Sequence, residues 1–379
     1  MNTVMTRREL LAAGAAAALP KPAFSAPAAT VAIARCRTYS DGLESKMARM
    51  FDQTGGIGSL VKGKTVAVKL NLTGNPARFP ERADLPYRNN PDTVLALVHL
   101  LARAGARRVR LIESFFPARQ DLDLWARYGL DIQAINNAGC KVEWENVQNK
   151  GQAANYVRIP VPGGGYVFPA YHLNHSFVDC DVYASLSKLK NHWIAGVTMA
   201  LKNNFGNTPC SLYGGDAGTD GNENPQQERG PVCHSGARTP PKGVDQELHP
   251  DSPRDPGYRV PRVTADLVAV RPIDLSIVDG IDSIRGGEGA WNPGVQIIKP
   301  GLLLCGRNPV CVDAVSMAVM GYDPKAERGT KPFVRGDNTL KLAEAKGIGT
   351  TDLARIEVAG LSIKEALHDY GPGPVGKPV

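Results

Sequence analysis

A predicted strand, a helix and a second strand follow one another early in the chain, and this unit restricts the fold more than any other feature. Residues 64–72 and 107–114 are short runs rich in β-branched residues, which favour strands. Residues 90–106 between them have helical apolar spacing, with Asn90 placed to cap the helix and Gly105 placed to end it. Strands joined in this way run parallel, and parallel sheets carry helices on their faces. The sequence therefore predicts an α/β protein.

The rest of the chain divides into a predicted N-terminal lobe at 30–206, an irregular insert at 207–262 and a C-terminal lobe at 263–379. The insert is rich in Gly, Pro, Asn, Asp and Gln and has few apolar residues, which is typical of a long functional loop. Further strands and helices are predicted on both sides of it. We expect a two-lobed α/β architecture in which parallel or mixed sheets are covered by helices.

The N-terminus has the pattern of a twin-arginine export signal. Arg7 and Arg8 precede a short apolar run, and small residues follow at 26–28, so residues 1–28 are predicted to be the signal peptide. A frayed, alanine-rich helix is the alternative. The prediction implies a periplasmic or otherwise exported protein that uses the twin-arginine export machinery. The apolar run is too short for a stable membrane span, and no later stretch is long and apolar enough.

Charge and cysteine spacing argue against two classes of function. The net charge of +7 and the 21% of charged residues form no strongly basic domain, so we expect no nucleic-acid partner. No C-x-x-C pair occurs in the sequence, so we expect neither a ferredoxin-type iron–sulfur cluster nor a zinc ribbon.

One segment places several cationic side chains directly after a predicted buried strand. Lys188 and Lys190 are two residues apart and therefore share a face of an extended chain, and His192 follows at the same spacing. Clustered ammonium groups repel one another unless an anion lies between them, and a lysine buried among cations has a lowered pKa. We predict an anion site that includes Lys188, Lys190 and, further along, Asn203. Lys202 and His192 are its candidate catalytic residues, and a solvated basic edge is the alternative.

Lys69 and Asn71 extend this prediction to the strand at 64–72. The lysine interrupts an apolar strand near its carboxyl end, where parallel sheets bind ligands. Glu113 lies at the same place on the next strand, so a Lys–Glu pair is expected to be structural or functional. We assign Lys69 and Asn71 to the anion or cofactor site, and a lysine extending into solvent from a strand end is the alternative.

Four carboxylates form a weaker candidate for a metal site. Asp279 ends a predicted strand, Asp282 and Glu288 follow in a glycine-rich loop, and Asp313 opens a later helix. Such groups can hold a hard cation such as Mg²⁺ or Ca²⁺. Turn capping by Asp279 and a favourable helix-dipole position for Asp313 are the structural alternatives.

Several of these motifs occur in an order that resembles the domain-of-unknown-function 362 family over about residues 60–360. The resemblance rests on five segments of the sequence: 66–76, 101–114, 186–206, 277–289 and 304–324. Its most specific part is the K-x-K-x-H motif at 188–192 with K-N-x-x-G at 202–206. Some members of that family carry ferredoxin-like cluster motifs, which this chain lacks, so the resemblance implies no internal iron–sulfur cluster here.

Two functional hypotheses follow. The first is an exported enzyme that binds a small anionic substrate or cofactor in a Lys/His-lined cleft and performs acid–base or redox-type chemistry. A metal ion and an organic cofactor both stay open. The alternative is a non-catalytic periplasmic protein that binds an anion or a metal. A catalytic lysine should titrate well below its usual pKa of about 10.4, whereas a lysine that only binds need not.

Overall fold

The protein is described by a computed structural model over residues 29–115, 120–215 and 229–374. The predicted export signal lies outside the described residues. In chain order the strands are β1 (Ala29–Arg35), β2 (Thr65–Lys69), β3 (Arg108–Glu113), β4 (Lys141–Asn146), β5 (Val157–Pro160), β6 (Ala170–Leu173), β7 (Val182–Lys188), β8 (Asn191–His192), β9 (Gly196–Val197), β10 (Leu275–Gly280), β11 (Ser283–Arg285), β12 (Gln296–Ile298), β13 (Leu302–Gly306) and β14 (Ile356–Gly360).

Helices of very different length connect these strands. They are α1 (Leu43–Gln53), α2 (Gly58–Val61), α3 (Pro91–Arg103), α4 (Asp123–Ala126), α5 (Ile132–Asn136), α6 (Met199–Asn203), α7 (Cys210–Tyr213), α8 (Pro256–Val270), α9 (Pro309–Val319), α10 (Thr339–Ala345) and α11 (Ile363–Ala366). Short 3₁₀ turns also occur, and Gly230–His234 forms one turn of π-helix.

Eight strands form one sheet in the order β14-β1-β13-β10-β7-β2-β3-β4. Of these strands, β13 alone runs antiparallel to its neighbours. The remaining described strands pair as three small two-stranded sheets. The α/β fold class predicted from the strand–helix–strand unit is confirmed.

Helices cover both faces of the sheet because its strands are apolar on both sides. Val66 and Val68 of β2 pack on one face in a cluster with Leu97 of α3. Ala67, between them, points to the other face and packs in a cluster with Val263 of α8. The result is a three-layer arrangement in which α1 and α3 lie on one side of the sheet and α6, α8 and α9 on the other.

The sheet runs through both predicted lobes without interruption. Ile277 of β10 lies opposite Leu186 of β7, and Leu304 of β13 lies opposite Ile33 of β1. Strands from before and after the predicted insert are therefore hydrogen-bonded neighbours. The lobe boundaries stay a prediction, because no break in the sheet marks them.

The sheet changes direction between β2 and β7. From β2 the chain passes through α3 to β3, and from β7 it passes through α8 to β10, which lies on the opposite side. Where two neighbouring strands send their connections in opposite directions, a crevice opens beyond their carboxyl ends, and ligands of α/β proteins bind there. Lys69 ends β2 and Lys188 ends β7, so both border this position.

Helix α8 corrects the predicted extent of the irregular insert. It begins at Pro256, inside the segment 207–262, and its pattern is obscured by Pro261 in the helix interior. Proline has no N–H to donate to the carbonyl four residues earlier. That carbonyl belongs to Gly257, and it accepts a hydrogen bond from the backbone N–H of Asp337 at 2.9 Å instead. A tertiary contact therefore allows a helix that local sequence pattern does not favour.

Across the described ranges, the helices are all too short or too polar to cross a lipid bilayer.

We predict that both halves of the sheet unfold in one transition. Leu303 of β13 is fully buried in the same cluster as Trp125 and Leu97, which belong to the other half of the chain. Leu303→Ala should lower the free energy of unfolding by about 2–5 kcal/mol, since it leaves a cavity in a shared core. Far-UV circular dichroism and tryptophan fluorescence should give the same urea midpoint. Leu367→Ala, on the surface, is the control, and two separate transitions would contradict the prediction.

Candidate functional site

Lys69 and Glu113 form a buried ion pair that joins the carboxyl ends of β2 and β3. Lys69 Nζ donates to Glu113 Oε1 at 2.5 Å and to the carbonyl of Leu70 at 2.6 Å. Glu113 also accepts from the backbone N–H groups of Leu72, at 2.7 Å, and Ser114, at 2.8 Å. Burial lowers the pKa of Lys69, and Glu113 opposes this effect. The expected Lys–Glu pair is present, and its charge is compensated within the protein.

Lys188 is compensated in the same way at the ends of β7 and β10. Its Nζ lies 3.1 Å from Asp279 Oδ2 and donates to the carbonyl of Asp282 at 2.6 Å. The Tyr39 hydroxyl joins this pair, 3.3 Å from Asp279 Oδ1 and 3.4 Å from Lys188 Nζ. Burial and the Asp279 charge raise the pKa of Tyr39 strongly. Two of the predicted cationic residues therefore serve first to fix neighbouring strands.

Lys190 is equally buried but has a different kind of partner. Its side chain is 1% exposed, and Nζ donates to the backbone carbonyls of Tyr87 at 2.5 Å and Glu288 at 2.9 Å. In the part of the chain that the structure describes, no carboxylate oxygen lies within 4.0 Å of Nζ. Burial lowers the pKa of Lys190 well below its ordinary value. The Glu288 charge opposes that shift, and the charges of Lys188 and Lys202 add to it.

His192 follows in β8 with its ring half-buried and its tautomer defined. Its Nδ1 accepts hydrogen bonds from the backbone N–H groups of Ile194 at 3.2 Å and Ala195 at 3.3 Å. A ring nitrogen that accepts cannot carry the proton, so the neutral ring is protonated at Nε2. Burial and the nearby charges of Lys202 and Lys190 lower the pKa of His192 well below 6.5.

Lys202 and His234 flank the ring of Phe205 beside this histidine. Lys202 Nζ lies 4.2 Å from the Phe205 ring centroid, and the His234 ring centroid lies 5.2 Å from it. Burial lowers the pKa of His234 to about 3, with contributions from Lys202 and Arg229. Both imidazoles are therefore neutral near neutral pH, in surroundings made positive by lysines.

Arg229 holds the segment that carries His234 against the site. Its guanidinium donates to the carbonyls of Thr208 at 2.6 Å and Gly206 at 2.9 Å. Gly206 in turn packs on the first ion pair, and a Cβ placed there would lie 3.3 Å from Lys69 Nζ. The middle of the predicted insert thus reaches the carboxyl ends of β2 and β3.

Asn71 and Asn203 connect β2 to α6 through a directed network of amides. Asn203 Nδ2 faces Ser185 Oγ at 3.0 Å and two carbonyls, so its Oδ1 is the acceptor for Asn71 Nδ2, also at 3.0 Å. This direction leaves Asn71 Oδ1 as a buried acceptor without a donor among the described residues. Asn89 fixes the backbone by accepting from the Asn71 N–H at 2.5 Å.

A strained turn and a buried carboxylate set the position of α6. Met199 has a φ of 40°, and it is the one residue other than glycine with a positive φ in the described ranges. Asp313 holds this turn, since its two oxygens accept from the backbone N–H groups of Ala200 and Leu201, each at 2.9 Å. Strain of this kind costs about 1–3 kcal/mol and persists only where the surroundings enforce it. The turn directs Lys202 toward Phe205.

Three of the four carboxylates proposed for a metal are engaged by other protein groups, and Asp282 contributes a backbone carbonyl. Asp279 pairs with Lys188, Asp313 binds backbone amides, and the carbonyl of Asp282 accepts from Lys188. Glu288 accepts from the Trp193 backbone N–H at 2.7 Å and from the Trp291 indole at 2.8 Å. The described residues contain no group of three or more His, Cys, Asp or Glu placed to hold a metal ion. The metal site stays a prediction that this geometry does not support.

Sequence reasoning missed several residues that shape the site. Tyr39 lies far from it in the sequence, and Tyr87 contributes a backbone carbonyl and a ring face. Arg229 and His234 belong to a segment without regular pattern. None of these carries a local signal, because each reaches the site through tertiary contacts.

We predict that Asp313 makes the protein less stable as pH rises from about 4 to about 7. Burial raises the pKa of this carboxyl from 3.8 to about 7. In that interval the folded protein keeps a proton that the unfolded chain has lost, so the free energy of unfolding falls with rising pH. Asp313→Asn should flatten the profile of urea midpoints against pH. Asp251→Asn, an exposed site, should keep the wild-type slope. Equal slopes in Asp313→Asn and wild type would refute the prediction.

Comparison with known proteins places this fold and site in a family. A curated relative, the thylakoid-associated protein sll1697 of Synechocystis sp. (strain ATCC 27184 / PCC 6803 / Kazusa), is 28% identical over 204 residues. The alignment covers 51% of this chain and 56% of the relative, so the chain spans little more than half of the relative's length. Residues 66–318 match the family described as "Domain of unknown function (DUF362)". They include both ion pairs, Lys190, His192 and the strained turn, and on this match the chain belongs to the domain-of-unknown-function 362 family.

Proposed function

We propose that this chain is an exported enzyme that binds a small anionic substrate at the carboxyl ends of β2 and β7 and acts on it by acid–base chemistry. The observation that carries the proposal is the environment of Lys190. It is buried beside Lys188 and within electrostatic reach of Lys202, and its direct partners are two carbonyls. The site lies at the point where the sheet changes direction, which is the usual ligand position of such folds.

The other two buried lysines give the contrast. Lys69 and Lys188 each have a carboxylate partner, at 2.5 Å and 3.1 Å. Among the described residues, the partners of Lys190 are instead two carbonyls and the face of the Tyr87 ring, whose centroid lies 5.5 Å from Nζ. Burial of a charged ammonium without a counterion is costly, and the cost is avoided in two ways. Either a ligand anion supplies the missing charge, or the amine releases its proton. The first way requires a bound anion, and the second leaves a neutral amine that can act as a base.

The lowered pKa of Lys190 favours an enzyme over the alternative, a periplasmic binding protein. A lysine that only attracts an anion does so best when it stays charged. An amine whose pKa lies well below the usual value can accept a proton near neutral pH and therefore act as a general base. Lys190, first assigned to anion binding, is for this reason also the leading candidate base. Lys202 and His192 then belong to the binding side of the site.

We predict that inorganic phosphate or oxalate stabilises the protein through Lys190. Thermal unfolding should be recorded with increasing phosphate and, separately, oxalate. Wild type should gain roughly 1–2 °C in Tm for each kcal/mol of binding free energy, because a ligand of the folded state shifts the unfolding equilibrium. Lys190→Met should lose this gain.

Lys364→Met removes the same charge from the surface and is the matched control. It should respond to both anions as wild type does. Equal stabilisation of wild type and Lys190→Met would place the anions elsewhere, and no stabilisation of wild type by either anion would count against the proposed site.

Export is tested by the paired arginines. Arg7→Lys with Arg8→Lys keeps the charge but removes the guanidinium geometry, and the two side chains are not equivalent in recognition. We predict that this variant remains in the cytoplasm with an unchanged N-terminus, whereas wild type is found outside it in a shorter form. Cell fractionation and mass measurement would show this. Export of both forms alike would contradict the prediction.

A further inference from the structure

His192 has a defined orientation in the site, and its role toward a ligand is not yet specified. Its Nδ1 accepts hydrogen bonds from two backbone N–H groups. A proton added to Nδ1 would point toward the hydrogens of both groups. Lys202 from α6, Lys190 from the connection after β7 and His234 from the segment after residue 229 surround the ring electrostatically. Each of these neighbours disfavours a positive charge on the imidazole.

The opposite edge of the ring carries the Nε2–H donor. Among the described residues, nothing accepts a hydrogen bond from Nε2, and the ring is half-buried rather than enclosed. A neutral imidazole fixed in this way cannot take a proton readily, but it donates one strong hydrogen bond whose direction and charge do not change with pH. Such a donor stabilises an oxygen that carries or develops negative charge.

We propose that His192 binds an oxyanion of the ligand through Nε2–H as a permanently neutral hydrogen-bond donor, and that it neither transfers protons nor binds metal. This inference rests on the proposed function, since it assigns the ligand of the same site to the class of molecules with a carboxylate, phosphate or enolate oxygen. The oxygen would lie between the Nε2–H donor and the surrounding lysines. Proton transfer then falls to Lys190 rather than to His192.

The tautomer is tested first, without any ligand. Two-bond ¹H–¹⁵N spectra of histidine-labelled protein, with His192 identified by the loss of its signals in His192→Gln, report which nitrogen carries the proton. We expect the Nε2–H form without titration from about pH 8 to about pH 5, although a free histidine titrates near pH 6.5. An Nδ1–H form, or a midpoint near 6.5, would overturn the inference.

Two substitutions then separate the donor from the acceptor. Asn places an oxygen close to the position of Nδ1, so His192→Asn keeps an acceptor for the Ile194 and Ala195 N–H groups and removes the donor. Gln reaches the position of Nε2, so His192→Gln keeps a donor. With phosphate and oxalate as probes, His192→Asn should weaken binding about ten-fold or more, and His192→Gln should weaken it much less.

Binding in His192→Asn equal to that of wild type would overturn the inference. The outcome is distinct from a failure of the proposed function, which would appear as unchanged anion binding in Lys190→Met. If His192 titrates near pH 6.5 but Lys190→Met still loses anion binding, this inference is wrong and the anion site remains.

Discussion

Three lysine side chains are buried at the carboxyl ends of the central strands, and the loss of their hydration must be compensated. Glu113 compensates Lys69 and Asp279 compensates Lys188, and each pair also links the ends of two adjacent strands. Removing one partner of such a pair typically costs about 3–5 kcal/mol, because the other charge stays buried. The pairs therefore hold β2, β3, β7 and β10 in place. Lys190 lies beside them and donates to two carbonyls, with no carboxylate oxygen of the described residues within 4.0 Å.

The segment around residues 229–235 shows why an apparently irregular insert belongs to the core of the molecule. Arg229 donates hydrogen bonds to the carbonyls of residues 206 and 208, in the segment that follows α6. His234 packs on Phe205 of the same segment. The carbonyls of Gly206 and Thr208 thus obtain their donors from a side chain that is distant in the sequence. The same contact brings a second imidazole next to Lys202, and burial together with the charges of Lys202 and Arg229 keeps that imidazole neutral.

Local pattern predicted the parallel sheet, the helix at residues 91–103 and the placing of Lys69 and Glu113 at adjacent strand ends, since these follow from periodicity and strand order alone. It could not predict α8, because Pro261 breaks the helical pattern and a distant N–H repairs it. It also could not separate Lys188 from Lys190. The two share one face of an extended stretch, and the difference between them is a carboxylate from another strand, which only the tertiary structure provides.

The positive surroundings have one consequence for chemistry that the separate residues do not show. Burial disfavours the charged forms of Lys190 and His192, and the charges of neighbouring lysines add to this effect at both groups. Deprotonation gives Lys190 a lone pair, while the neutral ring of His192 keeps its Nε2–H. In the proposed site, the same surroundings thus favour a proton acceptor at Lys190 and a hydrogen-bond donor at His192. A bound oxyanion would reverse part of this effect by drawing a proton back to Lys190, so anion binding and protonation of the lysine are coupled in this site.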